Sequence, residues 1–267
     1  MTDTQAPESA GLVLDPDQGA YVAIFGRKGS GKSELAKSYF RAYPYDRIVF
    51  DSNDEIDPEG TYTLDVGPGL FEWPTLEEWA ERLLARRRRC ATLPAQRPVE
   101  RRRSRPELPP YPSLRYAIDF TDDELMPNSR VPHWLYLVDQ VIKLAYHLGR
   151  PVCIWVDEVG DIFPVGKTQG NSMQALHKGR HKALTLLMAG PRPYNVEVLV
   201  LSQSDLVCIF EMPHELDRQR VAAHCAIPIN ELGPMLDNLE EHGYLAFFAA
   251  SHSVAILPPL ELDAAKR

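Results

Sequence analysis

At 267 residues, with 44% hydrophobic and 25% charged residues, the chain can bury a sizeable core and is too balanced in composition for a fibrous or disordered protein. Its net charge of −8 is uneven: Arg82 to Arg105 holds ten arginines against one acid, Glu100, and carries +9, so the remainder carries −17. No apolar run approaches the ~20 residues that cross a bilayer, the N-terminus lacks a basic-then-apolar signal, and Cys90, Cys153, Cys208 and Cys225 form no C-x-x-C pair and read as reduced thiols.

Residues 1–18 are polar, with Pro7, Gly11 and Pro16, and read as a loose arm before a domain spanning 19–260. Tyr21-Val22-Ala23-Ile24-Phe25 predicts a buried strand and Ser33 to Phe40 a helix. Between them Gly26-Arg27-Lys28-Gly29-Ser30-Gly31-Lys32-Ser33 satisfies G-x-x-x-x-G-K-[ST] at every fixed position. In this strand-loop-helix setting the backbone N–H groups of Gly26 to Ser33 curl around phosphate, and the helix start adds its positive dipole end. Lys32 is expected to reach the β- and γ-phosphates of ATP, and the Ser33 hydroxyl to hold Mg²⁺.

Arg47 to Asp51 reads as a second strand, whose terminal Asp51 either faces a ligand or caps a turn. Thr61 to Val66 is a third, and Thr75-Leu76-Glu77-Glu78 is a capping box that opens a helix through Leu84. Residues 86–112 are dominated by arginine and proline, which cannot pack a core, and predict an exposed insertion. Such a loop suits the phosphate backbone of a nucleic acid; it also suits a solvated or protein-binding surface. Aromatic residues are absent between Arg82 and Arg105, so base stacking is not indicated. Leu114 to Phe120 restores a strand, and Trp134 to Ala145 carries a wide helical apolar face.

Pro151-Val152-Cys153-Ile154-Trp155-Val156-Asp157-Glu158 is a continuous apolar run that ends in two acids. A central strand of a parallel sheet is buried on both faces and shows such continuity. Its C-terminal end emerges at the sheet edge that also carries the phosphate loop. Asp157 is expected to bind Mg²⁺ through water, and Glu158 to polarise the water that attacks the γ-phosphate. A helix over residues 172–183 and a strand from Leu184 to Ala189 follow. His177 and His181 lie four apart on that helix without a third ligand, which makes a metal pair unexpected. Leu206 to Glu211 predicts a buried strand, Pro213 the first turn of a helix through Ala223, and Ile227 to Leu239 a helix broken near Gly233-Pro234. Tyr244 to Phe248 and Ser253 to Leu257 predict a closing hairpin, and 261–267 a polar tail.

The order of phosphate loop, Asp157-Glu158 strand, Gly179-Arg180-His181 and a later strand ending in Pro191-Arg192-Pro193 resembles the HerA/FtsK superfamily. Within it the chain looks most like the genome-packaging ATPases of tailless icosahedral viruses with an internal membrane. The resemblance spans roughly Tyr21 to Leu257. It implies a three-layer α/β/α P-loop NTPase of the ASCE, RecA-like type with a mainly parallel central sheet. It implies an ATP-hydrolysing motor that translocates double-stranded DNA into a preformed capsid as a homo-oligomeric ring, a hexamer or pentamer. Docking on a capsid vertex or membrane protein, and a place in the host cytoplasm or on the virion at a packaging vertex, are implied by the same likeness. It also implies that Arg180 serves as an arginine finger toward a neighbouring subunit, with Arg192 the alternative and Arg27 or Lys28 also open.

One departure stands out. The family ends the later strand in Thr/Ser-Gln-Arg-Pro, and here Gly190-Pro191 replaces the first pair, so the polar sensor is missing. Ser202-Gln203 lies too late to replace it simply. Two other classes use the same loop and acids: a morphogenesis ATPase like the filamentous-phage export proteins, which usually carry a transmembrane segment, and a nucleotide-gated binding module with slow turnover.

Overall fold

A computed structural model describes residues 18–51, 61–66, 113–118, 132–148 and 151–259. The arm up to residue 17, the capping-box helix, the 86–112 insertion and the 261–267 tail lie outside them.

Among the described residues the apolar runs become nine strands: β1 (Tyr21–Phe25), β2 (Asp46–Asp51), β3 (Thr61–Val66), β4 (Ser113–Ile118), β5 (Val152–Val156), β6 (Leu184–Gly190), β7 (Leu206–Ile209), β8 (Tyr244–Phe248) and β9 (Ser253–Leu257). They form one sheet in the order β3-β4-β2-β5-β6-β1-β7-β8-β9. Pairing is parallel from β3 through β7 and antiparallel for β7-β8 and β8-β9.

Both faces of the central strands are buried, and the period of two sorts their side chains into two cores. Tyr21, Ala23 and Phe25 of β1, with Val152, Ile154 and Val156 of β5, fill one. Val22 and Ile24 of β1, with Cys153 and Trp155 of β5, fill the other. The second core is covered by α1 (Lys32–Ala42), whose Leu35, Ala36 and Phe40 are buried. Phe40 meets the Trp155 ring at 5.6 Å between centroids. The first core is covered by α2 (His133–Leu148), α3 (Val159–Ile162), α4 (Gly170–Lys178), α5 (Val198–Ser202), α6 (Glu215–Cys225) and α7 (Ile229–Asp237). This is the expected three-layer α/β/α fold with a mainly parallel sheet.

Burial sets the chemistry of the thiols. It pushes Cys153, Cys208 and Cys225 upward, Cys225 to about 12, so all three stay protonated and inert.

Three local expectations need correction. The helix carrying Arg180 does not run over 172–183: α4 ends at Lys178, and Arg180 sits on a 3-10 turn, Gly179–Lys182. That turn closes through Ala183 in the left-handed region, with φ of 57°. Pro213 stands two residues before α6 and is not in its first turn. Finally, α7 runs through Pro234 unbroken, because the ring removes one donor while Leu232 and Leu236 still bury one face.

Candidate active site

In a parallel α/β sheet the C-terminal strand ends form one edge. Here β5, β6, β1 and β7 bring four segments to it in spatial order: Asp157-Glu158, Gly190, the phosphate loop and Glu211. The loop is pinned to both neighbours. Gly26 N–H donates to the Gly190 carbonyl at 3.4 Å and Arg27 N–H to the Glu211 carbonyl at 3.0 Å. A Cβ on Gly26 would lie 2.5 Å from Phe210 Cβ, so only glycine lets the chain turn there. Gly31, at φ 103°, turns the loop into α1, leaving the helix's first N–H groups toward the loop.

Lys32 Nζ curls back to the Arg27 carbonyl at 2.9 Å. Burial lowers the Lys32 pKa from its ordinary value, and the nearby Glu158 and Asp157 carboxylates partly restore it. The Ser33 hydroxyl donates to Asp157 Oδ1 at 3.5 Å, which joins the two motifs across the end of β6. Ser30 Oγ is buried without a hydrogen-bond partner.

The Ser33 and Asp157 oxygens are hard donors of the kind Mg²⁺ takes, and one hydroxyl with one carboxylate leaves positions for phosphate oxygens and water. The residues therefore fit the ion. Among the described residues no group of three His, Cys, Asp or Glu could hold a metal by itself, His177 and His181 included.

One residue before Pro191, where the polar sensor is missing, the neighbourhood has closed. A Cβ on Gly190 would lie 2.7 Å from Val159 Cγ1, so Val159, the residue after Glu158, fills the space a side chain would need. Past Pro191 the chain is tied to α6 instead. Buried Asp217 accepts from Arg192 Nε at 3.1 Å and from Tyr194 N–H at 3.0 Å. Substituting Gly190→Ala should displace Val159, destabilise by about 1–3 kcal/mol and slow hydrolysis. Thermal denaturation and a turnover assay on the same variant check this.

Arg180 and Gln203 belong to the other edge, where the parallel strands begin. The Arg180 guanidinium pairs with Asp205 Oδ1 at 2.6 Å, reaches Gln203 Oε1 at 3.2 Å and lies 5.4 Å from the Tyr21 ring centroid. Asp205 also accepts from Tyr21 N–H at 2.8 Å, and the Tyr21 hydroxyl donates to the Ala175 carbonyl. Arg180 is thus held firmly, 40% exposed, and away from its own chain's phosphate loop. Gln203 does not approach the loop and is no substitute for the sensor. Asp51 is fully buried at the end of β2. Arg192 stands on the nucleotide edge, held by Asp217.

Sequence reasoning missed the far side of the loop. A cavity of about 430 Å³ opens there between Arg27, Gly29 and Ser30, the Glu211 segment, α6, and the turn that leads into β8. Arg27 Nε crosses its wall to Glu211 Oε2 at 2.6 Å, and Arg218 reaches Asp237 at 2.6 Å. These residues come from separate segments with no shared motif, so nothing in the linear order announces them.

No protein-family model matches the sequence, and no curated protein matches it. Solved structures do. The genome-packaging NTPase B204 of Sulfolobus turreted icosahedral virus 2, in complex with ATP-gammaS, superposes with a TM-score of 0.61 at 20% identity, over 92% of this chain and 99% of that one. The same protein with AMP gives 0.60 at 20% identity, over 92% and 100%. B204 described as the DNA-packaging ATPase of Sulfolobus Turreted Icosahedral Virus gives 0.58 at 18% identity, over 93% and 100%. The chain therefore has the fold of the viral genome-packaging NTPases.

Proposed function

We propose that the chain is an ATP-hydrolysing motor that drives double-stranded DNA into a preformed viral capsid. The observation that carries this reading is the meeting of Lys32, Ser33, Asp157 and Glu158 on one sheet edge, in a fold shared with packaging NTPases solved with nucleotides. The loop from Gly26 to Ser33 binds the phosphates. Lys32 places its ammonium against the β- and γ-oxygens, and Glu158 orients the attacking water and receives its proton. Ser33 and, through water, Asp157 would hold Mg²⁺, which would supply neutralisation of the phosphate charge.

A ring completes this picture. Arg180 is offered by each subunit to its neighbour's γ-phosphate, preorganised by Asp205 and the Tyr21 ring. Mixing Arg180→Ala with Glu158→Gln subunits should then restore part of the turnover, since each supplies what the other lacks; no recovery at any ratio would remove Arg180 from the mechanism. The arginine-rich insertion contacts the DNA phosphates, and the working place is the host cytoplasm or a packaging vertex of the virion, docked on a capsid or membrane protein.

The deciding experiment is ATP turnover with and without double-stranded DNA. Stimulation by DNA is the expected result. DNA-independent turnover would favour an ATPase acting on protein. Tight ATP binding without turnover would favour a nucleotide-gated module, the reading to which the missing polar sensor at Pro191 lends support.

A further inference from the structure

We propose that the acidic N-terminal arm, residues 1–17, docks on a basic surface of its own domain, formed by α2, α4 and the 3-10 turn that carries Arg180.

Two helices lying side by side build that surface. Buried Asp139 of α2 accepts from the Ser172 N–H at 2.8 Å and from the Ser172 hydroxyl at 2.9 Å, which fixes the start of α4 against it. Lys143 and Tyr146 follow Asp139 at spacings of four and seven, on the same side of α2. Past the end of α4, Lys182 Nζ lies 5.9 Å from the Tyr146 ring centroid. Lys143, His147, His177, Lys178, His181 and Lys182 are all exposed along these elements. Against them the three elements contain one acid, Asp139, and α4 engages it. Asp205 nearby is committed to Arg180 at 2.6 Å. In a chain of net charge −8 this surface has the opposite sign.

The occupant follows from where the arm enters. Gly19 turns at φ 70°, and a Cβ on it would lie 2.6 Å from the Leu184 carbonyl oxygen, so the chain before β1 is pressed against the residue two places after Lys182. Ala20 is held to the same strand: its N–H donates to Thr185 Oγ1 at 3.3 Å and its carbonyl accepts from Leu186 N–H at 2.9 Å. Residues 1–17 contain Asp3, Glu8, Asp15 and Asp17 and neither lysine nor arginine. At ~3.3–3.6 Å per residue, Asp17 can stand about 7 Å from Gly19 and Asp15 about 14 Å. A four-residue 3-10 turn is only about 8 Å long, so both acids can reach Lys182 and Lys178. Tethering this close gives an effective concentration on the order of millimolar. Pairs too weak to hold a free peptide therefore suffice for the arm.

Arg180 stands in the same surface, so a docked arm and a neighbouring subunit compete for it. That consequence, unlike the contact itself, rests on the reading of Arg180 as a finger offered in trans.

Zero-length carbodiimide cross-linking of the full chain, without nucleotide, tests the contact and requires neither a ring nor turnover. It joins a carboxylate to a lysine amine only where the two touch. In an equal mixture of ¹⁴N- and ¹⁵N-labelled chains, Asp15 or Asp17 should couple to Lys178 or Lys182 within one label, and the product should fall at least fivefold in 1 M salt, where charges are screened within about 3 Å. Lys178→Gln with Lys182→Gln should speed cleavage before Asp15 and Asp17 by an aspartate-directed protease at least fivefold. Products only between labels would assign the arm to a second copy and overturn the proposal. The 86–112 insertion has no lysine, so an arm bound there gives no product, which would overturn it too, as would equal coupling to Lys28, Lys37 and Lys167 or unchanged cleavage in the variant.

Discussion

Lys32→Ala is expected to reduce ATP turnover by about 10²–10³-fold, or about 3–4 kcal/mol of transition-state stabilisation, and to weaken nucleotide binding as well. In the free chain Lys32 makes one hydrogen bond, to the Arg27 carbonyl, so the variant should fold with a loss of about 1 kcal/mol at most. A near-normal melting temperature with absent turnover is therefore the signature of a direct role. The pH dependence has a definite sign. Burial lowers the Lys32 pKa, and only the ammonium attracts phosphate, so nucleotide affinity should fall as pH rises through that lowered value. The Ala variant should lack this part of the profile. Normal hydrolysis by Lys32→Ala would falsify the site assignment.

Glu158→Gln is expected to separate binding from hydrolysis. The amide keeps the size and a hydrogen-bonding oxygen but cannot accept the proton of the attacking water, so turnover should drop by about 10²–10⁴-fold while ATP stays bound. Glu158 begins the turn into α3, and no capping bond from its side chain supports that helix, so the substitution removes no cap. Equilibrium ATP binding together with single-turnover hydrolysis measures the two effects apart. A rate close to wild type would take Glu158 out of the chemistry and leave Asp157 as the only acid of the pair with a role.

These two residues were legible from the linear order because Lys32 closes a G-x-x-x-x-G-K-[ST] loop that follows one apolar strand and Glu158 ends another apolar run, and a parallel sheet delivers the ends of such strands to one edge. The strands from Tyr21, Val152 and Leu184 were readable for the same reason. Tertiary packing decided what was not. Pro234 looked like a break, yet Leu232 and Leu236 hold α7 together against the core. Arg180 looked like part of a longer helix, yet Tyr21 and Asp205 capture its backbone and guanidinium on a 3-10 turn. The loss of the sensor could be read from Gly190-Pro191; that Val159 fills the space beside Gly190 could not, because the two residues meet only across the sheet edge.

The parallel order of the sheet also sets when the loop can exist. Tyr21 is paired with Leu186 and Val22 with Leu206, so β1 has no neighbour in the sheet until β6 and β7, far along the chain, have been made. Contacts so distant in sequence form late and slowly. During synthesis β1 must wait as an unpaired apolar segment, a natural client for chaperones. A fragment that stopped before Leu184 would contain every residue of the phosphate loop and both acids, yet lack the two strands between which β1 is held.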